Sequence, residues 1–156
     1  MLTLTLPDNI QTQLISALRA SGLREVGGVL MAEHVGLDAF TVRSVTVHRR
    51  GSFVSFVRWF EDALAPLRDF FKAANHQYSR FNYIGEWHSH PSFNPAPSPR
   101  DDATMREIIQ DKGVGANFVV LLIVKLGSAG ELLGSVHVYL PSGAKHPADL
   151  ALCREC

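Results

Sequence analysis

The chain has 156 residues, 46% of them hydrophobic and 19% charged, which fits one ordinary globular domain over residues 1–156 and excludes a disordered chain. Fifteen Lys and Arg balance fifteen Asp and Glu, so no excess of positive charge exists to gather nucleic acid or an anionic membrane surface. No apolar run reaches the ~18 residues that a membrane span needs, and Met1–Asn9 lacks the marks of a signal peptide, so a cytoplasmic location is expected.

Ile10, Leu14 and Leu18 recur at spacing four and predict a first helix, capped by Asp8 and closed by Gly22. Val26–His34 and Phe40–His48 are rich in β-branched residues and predict neighbouring strands. Gly51–Arg58 reads as a further strand. Leu67, Phe71, Ala74 and Tyr78 then mark one face of a second helix whose first turn holds Pro66. Phe81–His90 returns to strand character, and Pro91–Pro99 carries four prolines that no regular element accommodates. Met105, Ile108 and Ile109 mark a short third helix. Phe118–Leu126 is nearly all apolar and predicts a central strand buried on both faces, with Leu132–Leu140 as one more strand. The order of elements predicts an α/β fold in the loose sense, a mixed α+β arrangement with a central mixed sheet flanked by helices.

Chemistry concentrates in Gly85-Glu86-Trp87-His88-Ser89-His90-Pro91. Side chains two apart on a strand project to one face, so His88 and His90 point the same way, and each can give an imidazole lone pair to one Zn²⁺. Ser98 follows His90 at eight residues and Asp101 comes three further on, the natural third ligand, because a proline-restricted loop loses little entropy when it folds back. Ser98-Pro99-Arg100-Asp101 also matches a helix start, with Ser98 as N-cap and Pro99 at the first helical position. For Ser98 the two readings are compatible, since a capping oxygen leaves its proton to donate elsewhere. For Asp101 they compete, and the histidine pair taken alone also fits two partly buried rings satisfied by backbone groups.

With these residues set out, the chain resembles the JAMM metalloproteases of the MPN fold, whose signature is a distant Glu followed by H-[ST]-H-P-x(6)-S-x(2)-D. Every defined position is present, and Glu25-Val26-Gly27-Gly28-Val29-Leu30 looks like the family's E-x-G-G-x-L segment. The resemblance spans roughly residues 8 to 140 and implies the MPN/JAB, cytidine-deaminase-like architecture. It implies that His88, His90 and Asp101 hold one Zn²⁺ with a water at the fourth corner, that Glu25 handles the water, and that Ser98 steadies the oxyanion. It further implies hydrolysis of a peptide or isopeptide bond after the tail of a ubiquitin-like protein. The work would be precursor trimming or conjugate removal, with E1-like and E2-like conjugation enzymes of bacterial systems, anti-phage operons included, as partners. A sulfur-carrier protein with a C-terminal extension is the alternative substrate, and a non-catalytic MPN scaffold is the alternative class.

Glu86 shares the strand parity of His88 and His90 and rivals Glu25 as general base. Glu33 lies eight residues beyond Glu25, too far along its strand, and is expected at the surface. Gly27 and Gly28 are expected to mark a bulge or a close helix contact, and, on the family reading, to leave room for an extended substrate. His34, His48, His76, His137 and His146 lack partners at metal spacing and are expected on the surface or in the core. Cys153 and Cys156 supply half a zinc ribbon and are expected to be incidental. A zinc deaminase would carry H-x-E and P-C-x-x-C, a metallo-β-lactamase an Asp where Ser92 stands, and a zincin H-E-x-x-H; none of these patterns is present.

Overall fold

A computed structural model describes residues 1–49 and 56–154. The elements run β1 (Thr3–Leu6), α1 (Asp8–Ser21), β2 (Val26–Gly36), β3 (Ala39–Val45), β4 (His48–Arg49), α2 (Phe56–Ala73), β5 (Phe81–Ser89), α3 (Pro99–Gln110), β6 (Val119–Leu126), β7 (Leu132–Tyr139) and β8 (Lys145–Leu152). The strands form one mixed sheet in the order β3-β1-β8-β7-β6-β5-β2-β4, and β3 also pairs with β2, so the hydrogen-bonded ladder closes on itself. Strand β1 is parallel to β3 and β8, and β5 is parallel to β6; the other pairs are antiparallel.

Alternation along the strands builds the two sides of the sheet. On β6, Val120, Leu122 and Val124 join the main core with Ile10, Leu14 and Leu18 of α1, while Val119, Leu121 and Ile123 face Met105, Ile108 and Ile109 of α3. This is the two-sided burial expected of the apolar run. Helix α2 packs beside α3's side of the sheet, with Leu67 against Val29 and Met31.

Strand β5 carries an irregularity that decides where the histidines go. Its pairing with β2 steps from Leu30↔Gly85 to Met31↔Tyr83 and skips Ile84. Ile84 and Trp87 both enter the main core, three positions apart, which an uninterrupted period of two forbids. Gly85 at this bulge has φ 152°, and a Cβ there would lie 1.9 Å from the Val120 carbonyl oxygen, so glycine is required. Beyond the bulge, Trp87 is buried inward and Glu86, His88 and His90 take the opposite face.

Several expectations change. Pro7, not Asp8, occupies the N-cap of α1, and Asp8 lies in the first turn, because the fixed φ of proline already sets the entry; Gly22 closes the helix at φ 58° as expected. The strand expected over Gly51–Arg58 falls mostly outside the described residues, and residues 56–58 belong to α2. That earlier start leaves Pro66 inside the helix instead of in its first turn, while Ala74 and Tyr78 lie past its end, where Tyr78 packs edge-on against Phe71. Glu33 is buried, not at the surface: Arg43 and Arg80 clamp its two carboxylate oxygens, each with an Nε donor at 2.7 Å. Cys153 is disulfide-bonded, and Cys156 lies outside the described residues. Among the described residues no helix is long and apolar enough to cross a membrane.

Candidate metal centre

Parity on β5 brings the rings of His88 and His90 side by side at the strand's end, their Nε2 atoms 3.2 Å apart. The loop from Pro91 returns the chain to α3, where Asp101 meets both rings: Oδ1 lies 3.3 Å from His88 Nε2 and Oδ2 lies 3.4 Å from His90 Nε2. All three residues are buried, and their ligand atoms fall within 4.8 Å of one another, the one such group among the described residues. Donors at tetrahedral corners around zinc, with bonds of about 2.0–2.1 Å, stand about 3.3–3.4 Å apart. The imidazole pair matches that spacing, and each ring has its own Asp101 oxygen at a similar distance, Oδ1 for His88 and Oδ2 for His90, so the residues fit a divalent ion with three protein ligands.

Local hydrogen bonds prepare each donor. The Nδ1 of His90 stands 3.2 Å from the Asn94 carbonyl oxygen. A carbonyl only accepts, so Nδ1 carries the proton and Nε2 turns its lone pair toward the other two groups. At α3 the capping box is complete: Ser98 Oγ accepts from the Asp101 N–H at 3.2 Å, and Asp101 Oδ2 accepts from the Ser98 N–H at 2.7 Å. The helix-start and third-ligand readings of Asp101 therefore coincide, with one carboxylate serving both. Burial raises the Asp101 pKa, but the hydrogen bond and charge of His88, followed by the bonds to Ser98, outweigh it and hold the carboxyl well below its usual range. Asp101 is thus ionised at neutral pH, as a metal ligand must be.

Glu25 precedes β2 directly and is half-buried. It lines, with His90, Ser98 and Asp101, a cavity of about 470 Å³ whose walls include Phe93 and Arg100. Two contacts fix β2 against the histidines: Gly27 is in register with His88, and the Val26 N–H donates to Ser89 Oγ at 3.0 Å. The serine between the histidines therefore helps to tie the start of β2, next to Glu25, to the end of β5. Sequence reading assigned Ser89 no part, although its place inside H-S-H was a visible signal.

The rival carboxylate stays apart. Glu86 is 6% exposed and shares the face of His88, but it joins neither the donor group nor the cavity that Glu25 lines. Its Oε1 is buried without a hydrogen-bond partner, and burial pushes its pKa up to about 8. Gly28 has a role unlike the expected one. A Cβ there would meet the Thr46 carbonyl oxygen at 2.0 Å, so the space is filled by the chain itself and not left for substrate. Among the other histidines, His34 stacks on Phe40 and His76 meets Tyr78.

A mixed sheet that presents two imidazoles and an ionised carboxylate beside a half-buried glutamate defines a candidate metal-binding domain. The chain belongs to the family described as prokaryotic homologs of the JAB domain, which its sequence matches over residues 7–137. Protein DSY2949 from Desulfitobacterium hafniense, solved in solution, has a similar fold: TM-score 0.71 and 17% identity, covering 97% of this chain and 94% of that one. At that identity the likeness is one of fold. No curated protein matches the chain.

Proposed function

We propose that this chain is a zinc-dependent peptidase or isopeptidase that cleaves after the C-terminal tail of a ubiquitin-like protein, in company with E1-like and E2-like conjugation enzymes. The observation that carries the reading is the convergence of the His88, His90 and Asp101 donor atoms within 4.8 Å of one another, with Glu25 lining a cavity beside His90 and Asp101. Held there, zinc supplies Lewis acidity, lowering the pKa of a water from about 15.7 to about 7 and polarising a carbonyl.

The protein's own groups divide the remaining work. Glu25 takes the proton of the attacking water and returns it to the leaving amine, a role worth typically 10²–10⁴-fold. The Ser98 hydroxyl, held at the helix start, donates toward the oxyanion that develops on the carbonyl. Phe93, 68% exposed at the cavity wall, offers an apolar contact to an extended tail.

The test pairs metal analysis with cleavage of ubiquitin-like and sulfur-carrier fusions. Glu25→Ala is expected to keep one zinc per chain and lose at least ~100-fold in turnover. Full turnover in that variant would place the base elsewhere, and zinc uptake without cleavage of any fusion by the wild type would favour a scaffold.

A further inference from the structure

The loop joining the proposed ligands His90 and Asp101 travels sideways across the sheet before it reaches α3. Ile123 is in register with His88 on one side and with Ser135 on the other, so Ser135 stands two strands from His88. That is about 9–10 Å at the usual strand spacing. There the Ser135 hydroxyl meets the Pro95 carbonyl, and His137 places Nε2 3.1 Å from the same Oγ. A carbonyl accepts only, so Ser135 donates to Pro95 and its oxygen receives the Nε2–H of His137.

Four prolines remove donors from this loop, and the N–H groups of Phe93 and Ala96 bond within it, to the His90 and Asn94 carbonyls, so its carbonyls are the handles by which the sheet holds it. Three consecutive carbonyls are held in this way. Phe93 O accepts from Lys125 Nζ at 3.1 Å, Asn94 O faces Nδ1 of His90, and Pro95 O accepts from Ser135. The carbonyl that sets the tautomer and tilt of His90 is thus flanked by two that are tied to the sheet.

We infer that Ser135 and His137 are positioning residues for the metal centre, acting through the Pro95 and Asn94 carbonyls on the orientation of His90; the inference rests on the metal-centre reading above. Partners that orient a metal-bound histidine typically govern 10–100-fold in affinity, and this pair acts one residue further out. Removing either side chain is therefore expected to cost about 10-fold in zinc affinity.

The experiment measures zinc affinity against a chromophoric chelator, the visible spectrum of the cobalt-substituted protein, and the melting temperature of the metal-free chain. Ser135→Ala and His137→Ala are each expected to weaken zinc about 10-fold and alter the cobalt bands. Because the two groups form one chain of hydrogen bonds, the double variant should lose little more than either single one. Ser135→Thr and His137→Gln, which keep the hydroxyl and an N–H, should restore most of the affinity. Zinc affinity within twofold of wild type for Ser135→Ala, with unchanged cobalt bands, overturns the inference and leaves the metal centre standing, whatever happens to the melting temperature. A wild-type chain that took up no metal would overturn both.

Discussion

Glu86 lies two residues before His88 on the same face, yet its surroundings give it the opposite electrostatics from Asp101. The Asp101 carboxyl gains hydrogen bonds and a neighbouring imidazole; that of Glu86 gains only burial, which favours the neutral acid and raises its pKa from 4.5 to about 8. A carboxyl favoured in its neutral form has no proton vacancy to fill, which counts against Glu86 as a general base. Because its folded pKa exceeds the unfolded one, the native state binds more protons between pH 4.5 and 8. Its stabilising contribution is complete below the unfolded pKa and is lost as pH rises through about 8, with an upper bound of several kcal/mol at roughly 1.4 kcal/mol per pH unit. Glu86→Gln should flatten that slope. Urea unfolding of the metal-free chain at pH 5.5 and 8 should show wild type losing stability over this window and the variant losing much less; equal losses would contradict the assignment.

At the scale of elements, local pattern and close approach part company. Strand parity placed His88 and His90 on one face, and the apolar run of β6 announced a strand buried on both sides. The bulge at Gly85 was not legible, because a period of two says that side chains alternate but not where one residue is skipped. It is the bulge that lets Ile84 and Trp87 both turn inward. Strand β8 was missed for a related reason: it pairs with β7 over Lys145–Ala148 and with β1 over Asp149–Leu152, so Pro147 sits where one neighbour is lacking and the segment shows no clear alternation. Gly28 was seen, but its meaning needed coordinates. Thr46, whose carbonyl would collide with a Cβ there, cannot easily retreat: its carbonyl accepts from Trp87 Nε1 at 2.9 Å, and its Oγ1 accepts from the Val29 N–H at 2.9 Å. Gly28→Ala should therefore destabilise the chain by about 1–3 kcal/mol, the usual cost of overpacking. Denaturant midpoints would show it, and an alanine variant within about 0.5 kcal/mol of wild type would mean that Thr46 yields.

For the whole molecule, the closed ladder implies that the proposed metal centre is added to the fold without holding it up. Strands β1 and β8, absent from the sequence reading, complete the run from β3 to β7, and the main core lies on the α1 side of the sheet. His88 and His90 stand on the other side at the end of β5, with Asp101 in the first turn of α3, where the capping box and the bonds from Tyr139 and Lys145 to Asp102 already fix the helix. Removal of metal should thus leave a cooperatively unfolding protein, and zinc should act as a ligand of the native state. At zinc 100-fold above its dissociation constant the gain is about 2.7 kcal/mol, or roughly 5–11 °C in melting temperature for a chain of this size. Protons compete with the metal for the ligands' lone pairs, so that increment should be present at pH 7.5 and shrink on acidification to pH 4.5. Thermal melts with and without chelator at the two pH values decide the matter. Loss of structure on chelation at pH 7.5 would make the metal structural, and full zinc protection at pH 4.5 would exclude a pair of histidine ligands.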